Sequence, residues 1–199
     1  VNSTWGGDSR DALGGLGGRP VVPLDFKNQI FFGGGGGAGD GNNNANSDGA
    51  DGGGIVFVIV SNGITGNGTI QANGENALNS SGGHNDAPGG GGGGGTVLIQ
   101  SNSIAATQII NANGGNGGSQ LITGSEGEGP GGGGGGGVVS VNAATDSSLK
   151  TITGGINGRT TSTSLTEFAA NGATSGNTGS ILAIPVNLNS SICLSTDIS

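Results

Sequence analysis

The chain has 199 residues, of which 50 are glycine; 9% are charged, 3% are aromatic, Tyr and Met are absent and there is one Trp. That composition excludes a broad enzyme-type core, and the apolar residues that remain, mostly Val, Ile, Leu and Ala, favour strands. The net charge of −8, with Lys27, Lys150, Arg10, Arg19 and Arg159 as the only cations, excludes nucleic acid and anionic membrane surfaces, which need clustered Lys and Arg.

The N-terminal stretch Val1-Asn2-Ser3-Thr4-Trp5 has neither the basic region nor the apolar run of a signal peptide, and Val1 reads as the start of a processed protein or of an excerpt. Residues 1–32 fall outside the repeat described below and are expected to form an N-terminal cap or linker. The Asp/Asn/Gly-rich stretch that follows places Asp40, Asn42, Asn44, Asn46, Asp48 and Asp51 at positions 1, 3, 5, 7, 9 and 12 of an EF-hand loop, where oxygen ligands wrap a calcium ion. Ala45 replaces the required glycine and Asp51 replaces the bidentate glutamate, so a plain turn-forming loop competes with the calcium reading. No other cofactor is expected.

Gly52-Gly53-Gly54 then runs into Ile55-Val56-Phe57-Val58-Ile59-Val60, the longest apolar run. At six residues it suits a strand buried on both faces and is far short of the ~20 needed to cross a bilayer, so no membrane insertion is expected. The same junction returns at Gly89–Gly95 into Thr96-Val97-Leu98-Ile99 and at Gly131–Gly137 into Val138-Val139-Ser140-Val141. It returns more weakly at Gly176–Ser180 into Ile181-Leu182-Ala183-Ile184. From 55 to 96 is 41 residues, from 96 to 138 is 42 and from 138 to 180 is 42. A second element keeps time: Ile70-Gln71-Ala72-Asn73-Gly74 recurs as Ile110-Asn111-Ala112-Asn113-Gly114, with Ile152-Thr153-Gly154-Gly155 as a degraded copy. Such a period marks a repeat architecture, here spanning 33–184, with 185–199 a C-terminal strand or linker to a further domain.

The spacing predicts an all-β, β-solenoid-like array with almost no helix, in which NGITGNG (62–68) and NANGGNGG (111–118) make Gly/Asn turns with positive φ. Residues 38–51, 75–88 and 119–129 read as variable loops. A flexible linker is the plain reading of a seven-glycine run. Regular spacing, direct abutment on apolar strands and the scarcity of serine favour packed polyglycine instead, polyproline-II-like segments whose backbones touch because no side chain intervenes.

The stretches GGGGGAG (33–39), GADGGGIVFVIV (49–60), GNGTIQANG (66–74), DAPGGGGGGGTVLI (86–99), NANGGNGG (111–118) and GPGGGGGGGVV (129–139) resemble the glycine-rich repeat region of large secreted surface proteins of Bacteroidetes. That resemblance implies a cell-surface, extracellular placement, an association with type IX secretion and gliding adhesins, and an adhesive or structural role with no catalytic residue carried over. A second resemblance is to glycine-rich receptor-binding adhesins at phage tail-fibre tips, which implies loops displayed from a polyglycine core.

Chemistry-bearing residues are few. His84 is the sole histidine, near Ser80, Ser81 and Asp86, with no nucleophile elbow around it, and Cys193 is the sole cysteine, so neither a triad nor a transition-metal site nor an internal disulfide is supported. Glu126, Glu128 and Glu75 are the carboxylates a β-helical carbohydrate-active enzyme would use, and they read more simply as solvated loop residues. No glycine run is followed by Lys, which excludes a P-loop. Asn-x-Ser/Thr at Asn2, Asn67, Asn79 and Asn189 is what chance gives in this composition. The expected function is a non-enzymatic extracellular structural or adhesive repeat module of a larger surface protein or filament. Its expected partners are neighbouring repeats or copies of itself and an external glycan or protein surface. A phage receptor-binding adhesin and, behind it, a carbohydrate-active enzyme are the alternatives.

Overall fold

A computed structural model describes residues 14–20, 30–41, 45–81, 86–125, 127–163, 166 and 168–183. Ten strands form among them, and no helix: β1 (Ile55–Ile59), β2 (Gly63–Ile64), β3 (Gly68–Gln71), β4 (Ser80–Ser81), β5 (Thr96–Ile104), β6 (Gln108–Asn111), β7 (Gln120–Leu121), β8 (Val138–Asp146), β9 (Leu149–Thr151) and β10 (Ser180–Leu182). All pairings are parallel. The first sheet has five strands in the order β1-β5-β8-β10 with β2 beside β5; the second is β3-β6-β9; the third is β4-β7.

Register follows the sequence repeat. Ile55 faces Thr96, Thr96 faces Val138, and Val138 faces Ser180. In the second sheet Ile70 faces Ile110, which faces Lys150. The apolar core lies between these two sheets, where Val97, Ile99, Val139 and Val141 meet Ile110, Ala72 and Ala112, with Val56, Val58, Ile70 and Ile152 packed around them. Period-2 alternation explains the choice: Val97 and Ile99 point to the second sheet, while Leu98 packs on the other face with Val138, Phe31 and Leu182.

The expected β-solenoid-like array is corrected by this arrangement. Among the described residues the strands lie in three separate parallel sheets and no closed sheet joins them. The physical reason is visible in the hydrogen bonds of Gly90–Gly95. A β-strand bonds to neighbours on two sides, which lets coils stack into flat walls. Here successive amides turn by a third of a circle: Gly90 and Gly93 donate to Gly37 and Gly34, Gly91 and Gly94 to Gly132 and Gly135, Gly92 and Gly95 to Glu75 and Ala72. The carbonyls alternate with them, accepting from Ala50 and Gly53, from Gly15 and Gly18 (at Pro88 and Gly91), and from Gly115 and Gly118. A chain with three residues per turn, the polyproline-II geometry, thus has six backbone neighbours rather than two.

The glycine segments accordingly stack in three rows. The middle row is 45–53, 87–95, 129–137 and 173–179. One outer row is 72–79, 112–119 and 152–159; the other holds 33–39 and 14–18. Residues 14–18, outside the sequence period, lie between 87–95 and 131–137. NANGGNGG is an extended lattice segment rather than a turn: no residue in 111–118 has positive φ, and within 62–68 only Gly66 does, at 94°. Contacts are close enough to require glycine. A Cβ on Gly91 would collide with the Gly115 carbonyl, and one on Gly94 would lie 2.6 Å from Gly137 N. Carbonyl oxygens packed on Cα hydrogens add about 0.5–1 kcal/mol each. Each lattice hydrogen bond contributes roughly 0.5–1.5 kcal/mol net. Fixing a backbone residue costs roughly 1–2 kcal/mol. Gain and ordering cost are of the same size, so the lattice is at best marginal by itself and depends on the apolar sheets into which its runs lead.

Candidate functional site

The outer row 72–79/112–119/152–159 carries side chains at every third position, the period set by its backbone. Asn73, Asn76 and Asn79 stand on one segment, Asn113, Asn116 and Ser119 on the next, Thr153, Ile156 and Arg159 on the last. Each amide oxygen accepts from the backbone 40 residues on: Asn73 Oδ1 from Asn113 N at 2.8 Å, Asn76 Oδ1 from Asn116 N at 2.7 Å, Asn79 Oδ1 from Ser119 N at 2.7 Å. Asn113 and Asn116 repeat this toward Thr153 N and Ile156 N, both at 2.8 Å, and Ser119 Oγ accepts from Arg159 N at 3.1 Å.

These bonds fix which way the amides face. With Oδ1 committed to the layer, Nδ2 is left as an outward donor. Asn73 spends it on Gln71 Oε1 and Asn113 on Thr151 Oγ1. Among the described residues, Nδ2 of the exposed Asn76, Asn79 and Asn116 meets no protein acceptor. The result is a set of outward amide donors with a spacing of about 9 Å along each segment, three residues at 3.1 Å rise. No single residue type announced this surface. The signal that finds it is the triplet Asn-x-x-Asn-x-x-Asn/Ser at 73, 76, 79 and again at 113, 116, 119.

Of the calcium candidates, Asp40, Asn46, Asp48 and Asp51 are among the described residues. Asn42 and Asn44 lie outside the described residues. Residues 45–53 form an extended row whose Ala50 and Gly53 amides bond to Gly90 and Gly93, and Asn46, Asp48 and Asp51 stand along it. Asn46 Nδ2 donates to Gly39 O at 3.3 Å, and Asp40 is held by its carbonyl, which accepts from Ala87 N. Asp48 and Asp51 line a shallow groove with Glu75. Among the described residues no three His, Cys, Asp or Glu are grouped to hold a metal.

Of the carboxylates considered for catalysis, Glu75 and Glu128 are among the described residues. Glu126 lies outside the described residues, as do His84 and Cys193. Glu128 is buried, its amide donating to Gln120 Oε1 at 3.1 Å, whereas Glu75 is exposed on the outer row. Asp86, the third residue of the triad reading, is buried and accepts from Ala45 N at 2.8 Å. The chain matches no family model, and it is similar to no curated protein and no solved structure.

Proposed function

We propose that the chain is a non-enzymatic, extracellular adhesive and structural module whose amide surface binds an external glycan. The observation that carries this reading is the ordered array of outward amide donors on Asn76, Asn79 and Asn116. Hydroxyl-rich polymers are recognised by hydrogen-bond donors held at fixed spacing, and donors locked in advance lose little side-chain entropy on binding. The donors are themselves uncharged amides, with Asp48, Asp51 and Glu75 lining the groove beside Asn76 and Asn79, and they are held in place because each amide oxygen is tied to the next segment. The resemblance to glycine-rich surface proteins supports the same placement, at the cell surface.

The test is Asn116→Asp. Aspartate keeps the oxygen that accepts from Ile156 N but replaces the outward donor by an acceptor. Across a panel of immobilised surface polysaccharides, the parent chain is expected to bind at least one, and the variant to bind it about tenfold more weakly, the loss of one to two hydrogen bonds. The melting temperature should be unchanged. Equal binding by both chains, or none by the parent to any polysaccharide, overturns the proposal.

A second reading, the phage-type receptor-binding adhesin, is favoured by the runs 87–95 and 129–137 entering the lattice from the same end. Residues 86–88 and 127–130, the described ends of the connections that lead into those runs, therefore stand at that end. Retention of one outer-membrane protein, abolished by exchanging those connections and not by Asn116→Asp, separates it from the first.

A further inference from the structure

The run Gly131–Gly137 has the same threefold pattern as Gly90–Gly95, but among the described residues only five of its six sides are taken. Its amides donate to 112–118, to Gly15 and Gly18, and to Thr174 and Asn177. Its carbonyls accept from 91 and 94 on one side and from 155 and 158 on another. The remaining carbonyl direction belongs to Gly133 and Gly136, and among the described residues neither accepts a hydrogen bond. Donor and acceptor neighbours alternate around Gly90–Gly95, and the same order places this sixth side between 14–18 and 174–177.

A groove of about 760 Å³ runs there, walled by Gly14–Pro20 and Asn171–Asn177 and floored by Gly129–Gly135. Gly132 marks its axis: a methyl group on it would sit 3.1 Å from Gly17 N on one wall and 3.5 Å from Thr174 O on the other. Pro20 closes one end, lying over Gly135.

We infer that this groove is a docking site for a glycine-rich polyproline-II strand of another polypeptide, which completes the sixth side of the 131–137 run. The groove continues, one position further along, the row in which 33–39 and 14–18 already pack on the middle row. Its occupant must supply N–H donors at three-residue spacing to the open carbonyls. It must also carry glycine wherever it faces the floor, because backbone contacts at the other five sides leave no room for Cβ. A glycan would supply donors without that exclusion of Cβ. This inference does not depend on the amide surface of the opposite row.

The experiment is an amide NMR titration of the whole chain with the capped peptide (Asn-Gly-Gly)3, which copies the spacing of Asn113–Gly118. The control is (Asn-Ala-Ala)3. Saturable shifts are expected in 129–136 and 171–177, at millimolar peptide or below, with the alanine peptide about tenfold weaker. Gly132→Ala, whose methyl enters the groove floor 3.1 Å from Gly17 N, a tight contact that Gly17 relieves by a small shift, should weaken binding to the same degree and change the melting temperature little. Equal binding by the alanine peptide, shifts confined to another surface, or no saturable shift at millimolar peptide each overturns the proposal. Should Gly132→Ala fail to fold, the comparison of the two peptides on the parent chain still decides.

Discussion

Glycine at Gly94 and glycine at Gly54 are the same residue under opposite constraints. A Cβ at Gly94 would lie 2.6 Å from Gly137 N and 2.8 Å from the Ala112 carbonyl carbon, all of it backbone that cannot swing aside. At Gly54 nothing stands within 4 Å. Gly94→Ala is therefore expected to destabilise the chain by about 3 kcal/mol or more, at the upper end of core overpacking. Gly54→Ala should be neutral or stabilising by up to about 1 kcal/mol, through loss of unfolded-state freedom. Urea unfolding of both variants checks this, and equal effects would mean the glycines serve flexibility rather than contact. Legibility at this scale was uneven. The spacing of the glycine runs is plain in the sequence, because a Cβ-free run next to a strand has few uses. The asparagines are hidden, since Asn in NANGGNGG suits a turn as well as an extended segment. Only a neighbouring chain 40 residues away decides between them.

Elements at the end of the array differ from those inside it. In the second sheet Ile70 and Ile110 occupy the first two strands, but Lys150 takes that register position in β9. Its Nζ pairs with Asp146 Oδ2 at 2.6 Å, and Ser148 N and Oγ donate to Asp146 Oδ1. In the amide row Ile156 and Arg159 stand where Asn116 and Ser119 would accept the next segment's amides, and neither can. A charge on an edge strand and non-accepting residues on an edge row both discourage further addition. The sequence marks Ile152-Thr153-Gly154-Gly155 as a degraded copy; among the described residues that copy follows the last strand of the second sheet and lies in the last segment of its row. Burial alone would raise the Asp146 carboxyl, but hydrogen bonds from Lys150 and Ser148 and the charge of Lys150 overcome it, leaving the pKa below the ordinary value. A depressed carboxylate contributes stability that is present above its unfolded pKa and lost as pH falls through its folded one. Melting curves of the parent and Asp146→Asn should differ at neutral pH, by about 1 kcal/mol or less. They should converge as pH falls below about 4, the ordinary carboxylate range. A gap that persists at low pH would assign the effect to packing instead.

At the scale of the whole molecule, the question is whether a bundle with no side chains behaves as part of the folded body. Every amide from Gly90 to Gly95 and from Gly131 to Gly137 donates to another backbone carbonyl, and both runs feed straight into the buried strands β5 and β8. Since the lattice gains only about match the cost of ordering the chain, the runs have little stability of their own. They must open together with the sheets. Hydrogen exchange is expected to show glycine amides 90–95 and 131–137 protected to the same free energy as Val97, Ile99 and Val139, the global value rather than a local one. Ile110→Ala, which empties a fully buried position in the core between the first two sheets, should lower both sets equally, by about 2–5 kcal/mol. Were the glycine amides to exchange at the rate of an open chain while Val97 and Val139 stayed protected, the runs would be tethers. Neither a rigid amide surface nor a groove floored by backbone could then exist. Equal protection would show that this chain builds a solid interior from main chain alone, and that two small apolar sheets suffice to hold it.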